Sequence, residues 1–214
     1  MTDPVFNHLV VEGPIGVGKS RLARQLAERL DAEVLLEQST ANPFLERFYV
    51  NPREAALATQ LHFMLERAEE IGRIRQSDLF APRYVSDFLF AKDRLFASLN
   101  LDEAELALYE RIWSVMAPQV SPPDLVIYLQ APVDVLQARL RRYGGAVESR
   151  LEEAYLERLA NAYIDFFHDY DESPVLIVNS TGLDPLSSEK HLELLIEEMR
   201  QIGQGRHYFN PLSE

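Results

Sequence analysis

The chain has 214 residues, 47% of them hydrophobic, with no cysteine, and its 34 acidic side chains outnumber 21 basic ones for a formal net charge of -13. This fits one globular domain and excludes disulfide scaffolds, thiolate metal centres and cysteine nucleophiles. The acidic excess argues against a protein that coats nucleic acid, whose phosphate backbone calls for a basic surface, although a local phosphate pocket can oppose the global sign.

The opening segment MTDPVFNHLVVEG carries neither a basic stretch nor a long apolar one, so no secretory signal is expected. No apolar run approaches the ~20 residues of a membrane helix, and the expectation is a soluble cytoplasmic protein. In chain order, short apolar runs alternate with long amphipathic segments. The runs Phe6–Val11, Val34–Leu36, Tyr84–Ser86, Leu125–Leu129 and Val175–Val178 are too short for typical helices and rich in Val, Ile, Leu or Tyr. They read as five strands.

Between the strands, helices are predicted over Ser20–Leu30, Arg53–Ile71, Asp102–Ala117, Pro132–Arg142, Ser149–Tyr170 and Glu189–Ile202. In the second, Leu57, Leu61, Met64, Ala68 and Ile71 make one apolar stripe. The third opens on Asp102 with Glu105 three residues on, a capping-box start, and Ser149 with Glu152 repeats the pattern. Alternating strand and helix predicts an α/β fold, a five-stranded parallel sheet flanked by helices.

Residues 13–20 read Gly13-Pro14-Ile15-Gly16-Val17-Gly18-Lys19-Ser20. This is G-x-x-x-x-G-K-[ST], after the strand HLVVE and before the helix RLARQLAERL, the context a phosphate loop needs. Glycines let backbone N–H groups turn in around phosphate oxygens, and the helix dipole adds positive potential. Lys19 is expected to reach the β- and γ-phosphates of a bound nucleotide and Ser20 to ligate Mg²⁺.

Ligands of open α/β sheets gather outside the carboxyl ends of the strands. There the second strand leads into Glu37 and the third into Asp87, so both acids are expected near the phosphate loop. One can act as base toward an acceptor hydroxyl and one can help hold Mg²⁺. Gln60, Phe63 and Arg67 share a second face of the long helix, which fits either a nucleobase edge or a solvent face. Arg139 and Arg142, ahead of Gly144-Gly145, fit either a phosphate-closing lid or a helix C-terminus that favours cations. The five histidines show no metal-ligand spacing and read as surface or packing residues. Trp113 reads as core or dimer interface, and Tyr208 with Phe209 as a tail docked on the body, with covering the nucleotide as the alternative.

The chain resembles the bacterial deoxyribonucleoside kinases of the thymidine kinase-like P-loop group over nearly its whole length. The matching segments are GPIGVGKS, the acid in LLEQS, NPFLERFY ending at Tyr49, Gln60, YVSDFLFAKDRLFA, PDLVIYLQAP, the stretch RLRRYGGAVESR and the tail GRHYFNP. The resemblance implies one kinase domain over 1–214 with a lid at about 139–150, five parallel strands and a homodimer. It makes Glu37 the base for the nucleoside 5′-hydroxyl, with Tyr49 and Glu148 on the sugar 3′-hydroxyl. Gln60 pairs with the base edge, Phe96 stacks on its face, Arg67 lies near it, and Arg139 with Arg142 reaches the phosphates. The residues Ser86-Asp87-Phe88 stand where many relatives carry acid-Arg-Ser. The arginine that would touch Glu37 is therefore absent; Asp87 is the candidate Mg²⁺ ligand, and Lys92 or Arg94 the candidate replacement charge. The Ser-Asp-Phe form points by resemblance to purine deoxynucleosides. The implied reaction is ATP-dependent 5′-phosphorylation of deoxyguanosine or deoxyadenosine in nucleotide salvage. A thymidylate-kinase-type monophosphate kinase is the alternative. A non-catalytic nucleotide switch is a third reading, disfavoured by the lack of N-K-x-D and D-x-x-G motifs.

Overall fold

In the computed structural model, residues 6–75, 83–117, 120–145, 148, 151–182 and 189–211 are described. The apolar runs become strands, and the central ones are buried on both faces, as a helix-covered parallel sheet requires, whereas β2 at the edge has no buried residue. They are β1 (His8–Glu12), β2 (Glu33–Leu35), β3 (Tyr84–Ser86), β4 (Leu125–Gln130) and β5 (Val175–Asn179). Every residue of β1 is buried, and so are the first five of β4.

The expected count of five strands is one short. The tail forms β6 (Arg206–Phe209), parallel to β5 with Val175 opposite Arg206. The parallel order is β2-β3-β1-β4-β5-β6, so β1 lies between β3 and β4. Arg206 fixes this edge strand by donating to the carbonyl oxygens of Phe167 at 2.8 Å, Tyr170 at 2.9 Å and His168, which cover a helix C-terminus. Phe209 packs on the core, whereas Tyr208, also expected to dock, is 76% exposed.

The helices are α1 (Lys19–Leu30), α2 (Leu45–Val50), α3 (Pro52–Arg75), α4 (Asp93–Asn100), α5 (Glu103–Met116), α6 (Val133–Tyr143), α7 (Glu153–Asp169) and α8 (Glu189–Met199). Two of them, α2 and α4, are short and were not legible as periodic segments. The predicted helix at Ser149 begins instead at Glu153 with Glu152 at its cap and no side-chain cap bond; Ser149 lies outside the described residues. The last helix ends at Met199, three residues before the expected Ile202. Asp102 does close a capping box, accepting from the Glu105 N–H at 2.9 Å while Glu105 accepts from its own at 3.2 Å.

The chain divides into two units. The sheet unit holds β1–β6 with α1, α6, α7 and α8. On one face, Leu9, Val11, Ile127, Leu129 and Leu176 pack with Leu22 and Leu26 of α1 and Leu195 and Ile196 of α8. On the other, Tyr128 stacks on Phe167 of α7, ring centroids 4.2 Å apart. His8 is buried between β1 and β3, its Nε2 2.9 Å from the Ser86 hydroxyl, and burial lowers its pKa to about 4. It is thus a packing residue, as its lack of metal spacing suggested.

The helical unit holds α2–α5. Phe48, Ala55 and Ala56 form the α2–α3 contact, and Trp113 of α5 stacks on Phe90 at 4.4 Å. The buried line of α3 differs from the expected stripe. Ala56, Gln60, Met64, Arg67 and Ile71 are buried, while Leu57, Leu61 and Ala68 are half-buried. The face carrying Gln60 and Arg67 therefore points inward, which removes the solvent-face reading. Among the described residues, no helix is long and apolar enough to cross a membrane.

Candidate active site

In the sheet unit, β1 ends at Glu12 and the chain turns into the phosphate loop. Two glycines are required there. Gly13 has φ +149° and a Cβ on it would lie 2.5 Å from the Leu129 carbonyl oxygen; Gly16 has φ +86° and its Cβ would lie 2.7 Å from Leu140 Cγ. The Val17 N–H closes the turn on the Pro14 carbonyl at 3.2 Å. Gly18, at φ +105°, caps α1 without a side chain, so the helix presents backbone amides and its positive end at the loop. The Lys19 ammonium donates to the carbonyls of Gly13 at 2.8 Å and Pro14 at 3.4 Å, folded back across the loop it serves.

The loop is braced from behind. One buried oxygen, Glu12 Oε1, accepts from the Gly13 N–H at 2.9 Å and from the Tyr163 hydroxyl of α7 at 3.0 Å. From α6, Arg139 donates to the Val17 carbonyl at 3.1 Å and to the Ser180 carbonyl at 2.6 Å and hydroxyl at 3.3 Å. Ser180 is itself tied to the Gln130 carbonyl at 2.9 Å. So Arg139 touches the loop backbone. Arg142 does not join it: exposed, its guanidinium carbon sits 5.0 Å from the Tyr143 ring centroid. Glu148 accepts from the Gly145 N–H at 3.1 Å. Of the expected lid, Ala146, Val147, Ser149 and Arg150 lie outside the described residues. Asp87, just past β3, is buried, and Ser20 is exposed in the first turn of α1.

Glu37 belongs to the helical unit, two residues beyond the end of β2. Its Oε1 accepts from Arg67 Nε at 2.7 Å and from a terminal nitrogen of the same guanidinium. The other terminal nitrogen of Arg67 binds Asp93 Oδ1. Gln60 Nε2 donates to that oxygen and to the Asp93 carbonyl, both at 2.9 Å, and the Tyr109 hydroxyl donates to Oδ2 at 2.7 Å. The Phe63 ring lies 5.1 Å from the guanidinium. Asp93 is fully buried, and burial pushes its carboxyl up to about 6 against the downward pull of Arg67 and the Tyr109 bond. The Tyr109 hydroxyl is raised by its own burial and by the Asp93 charge. Every hydrogen bond given above for this carboxylate comes from a donor, as an ionised acid requires.

Phe96 is half-buried with the Lys92 ammonium 5.9 Å from its ring, and Tyr49 is half-buried against Phe48 at 5.6 Å. Arg94 pairs with Glu110 at the surface, at 3.0 Å. Sequence reasoning therefore found Glu37, Gln60 and Arg67 but missed Asp93, which joins them. It also missed Tyr163, Glu12 and Ser180, which brace the loop. The signal available for Asp93 is one acid between two bases, Lys92 and Arg94, flanked by apolar residues in FAKDRLFA.

The model of a family described as "Deoxynucleoside kinase" matches residues 9–203. Among curated proteins, a Bacillus subtilis deoxyguanosine kinase is 26% identical over 201 residues, covering 91% of this chain and 96% of its own. A deoxyadenosine/deoxycytidine kinase of the same organism is 27% identical over 209 residues, covering 93% and 94%. Among solved structures, a deoxyadenosine kinase from M. mycoides with bound dATP superposes with a TM-score of 0.77 at 20% identity, covering 90% of this chain and 99% of that one.

Proposed function

The chain belongs to the deoxynucleoside kinase family, and from that premise we propose that its acceptor is a purine 2′-deoxyribonucleoside and its donor Mg²⁺-bound ATP. Membership makes it an enzyme that phosphorylates deoxynucleosides, and it disfavours the monophosphate-kinase alternative. In our reading the phosphate loop with Lys19 holds the β- and γ-phosphates. Glu37 takes the proton of the 5′-hydroxyl. That oxygen bonds to the γ-phosphorus as the bond to the bridging oxygen breaks, and ADP leaves.

The observation that carries the acceptor reading is the Gln60–Arg67–Asp93 array, whose guanidinium continues onto Glu37. It offers both donors and acceptors, which suits the mixed edge of a purine. Of the two Bacillus relatives, one is named for deoxyguanosine, which supports a purine acceptor, and the other for both deoxyadenosine and deoxycytidine. Phe96 is assigned to the base face, and Tyr49 and Glu148 to the 3′-hydroxyl, so that a ribose 2′-hydroxyl is rejected. Arg139 is assigned to the phosphates, leaving its carbonyl partners when nucleotide enters; Arg142 is a secondary candidate.

Magnesium binds through one or two carboxylates together with substrate phosphates, so a closed protein cage is not needed. Among the described residues, no group of three or more acidic or histidine side chains forms such a cage. The hard oxygens of Ser20 and Asp87 fit the ion, which supplies charge neutralisation on the transferring phosphoryl group. Use of the ATP pool supports a cytoplasmic setting. A homodimer is supported by exposed apolar side chains on two helices, Leu65 of α3 with Leu108 and Val115 of α5.

The test is Glu37→Gln. Turnover should fall by about two to four orders of magnitude while ATP binding stays near normal. Retained turnover would remove Glu37 as the base.

A further inference from the structure

One guanidinium serves two carboxylates with different tasks. Arg67 is buried; through Nε and one terminal nitrogen it holds Oε1 of Glu37, and through the other terminal nitrogen it holds Oδ1 of Asp93. Asp93 Oδ1 also accepts from Gln60. An arginine fork is rigid, so the two carboxylates cannot shift independently while it bridges them. The contact on Glu37 is the kind of charge that the Ser86-Asp87-Phe88 segment does not supply. Arg94, one of the two side chains named as a substitute, is engaged at the surface with Glu110.

We propose that Arg67 is a positioning residue for phosphoryl transfer, orienting the Glu37 carboxylate and tying it to the nucleobase-reading pair Gln60 and Asp93. The proposal rests on Glu37 being the base for the acceptor hydroxyl. Its chemical content is a coupling. The two acids share one cation, so a nucleobase edge that donates to Asp93 takes up part of that acid's demand and leaves the guanidinium more fully on Glu37. The base of the acceptor then contributes to turnover as well as to binding. The charged and titratable groups around the bridge are Glu37, Asp93, Lys92 and Tyr109, with Glu110 acting on Tyr109.

The experiment is a double-mutant cycle on the full chain with saturating Mg-ATP and deoxyguanosine or deoxyadenosine. Arg67→Lys keeps the charge but lacks the fork. It should lower kcat by about tenfold or more alone, and by less than about twofold when Glu37 is already Gln, since the two act as one unit. It should also move the acid limb of the kcat profile to higher pH, because a Glu37 carboxylate that loses the paired hydrogen bonds of the guanidinium fork is protonated more readily. Equal losses in both backgrounds, a change confined to KM, or an unmoved acid limb would each overturn the proposal. If Glu37→Gln alone retains full turnover, the base assignment fails first, and that result is distinct from additivity. Should Arg67→Lys fail to fold, Arg67→Gln combined with Asp93→Asn removes both charges together, and the same cycle against Glu37→Gln decides the question.

Discussion

The Asp93 carboxyl offers a stability test that needs no substrate. Its pKa is pushed from the ordinary 3.8 to about 6, first by full burial, against the pull of Arg67 and the Tyr109 hydroxyl bond. The folded protein thus holds this proton to higher pH than the unfolded chain does. The group favours folding fully below about pH 4, and that contribution is lost as pH rises through about 6. A displacement from 3.8 to about 6 corresponds to about 3 kcal/mol, undiminished by solvent because the side chain is 0% exposed. About half of it falls between about pH 5 and about pH 7.5. The perturbation is Asp93→Asn and the assay is urea denaturation across that range, comparing wild type with variant at each pH. The gap between the two curves should open toward neutral pH, in the variant's favour relative to its value at pH 5, by about 1–2 kcal/mol. Any constant offset from changed hydrogen bonds drops out of the comparison. Parallel curves would show that Asp93 titrates alike in both states and would refute the buried-acid argument.

Two further outcomes follow from the phosphate loop. Gly16→Ala places a Cβ 2.7 Å from Leu140 Cγ at a residue with φ +86°, and should cost about 1–3 kcal/mol of stability together with a weaker ATP affinity. An unchanged denaturation midpoint and an unchanged ATP titration would contradict it. Tyr163→Phe removes the hydroxyl that donates to buried Glu12 at 3.0 Å, and should cost about 1–3 kcal/mol, read by the same denaturation assay. A loss below about 0.5 kcal/mol would mean that this brace adds nothing to the fold.

What was legible in the sequence was what is local. The phosphate loop shows itself because its glycines, lysine and serine are consecutive and each answers a demand of the same short turn. The strands β1, β4 and β5 show because burial on both faces forces continuous apolar runs. The edge strand β6 did not show. Arg206-His207-Tyr208-Phe209 has no apolar run, and its place comes from Arg206 reaching three carbonyls around the end of α7. The acceptor half of the site was legible only residue by residue. Gln60 and Arg67 could be put on one helix face, but whether that face met solvent was open until Asp93 was found between them. Arg67 lies 30 residues from Glu37 and 26 from Asp93, separations at which no periodicity carries information. The absent strand-end arginine points in the sequence only to its neighbours Lys92 and Arg94, and nothing in the order of residues shows that Arg67 reaches Glu37 from α3.

On the proposed reading, this chain transfers phosphate from ATP to the 5′-hydroxyl of a purine deoxynucleoside. The most direct measurement is phosphoryl transfer from Mg-ATP to a panel of the four natural deoxynucleosides, their ribose counterparts and their 5′-monophosphates. The expected result is rapid conversion of deoxyguanosine or deoxyadenosine, with weak activity on ribose and none on monophosphates. Turnover of monophosphates alone would contradict the account, because Glu37 would then have no 5′-hydroxyl to deprotonate.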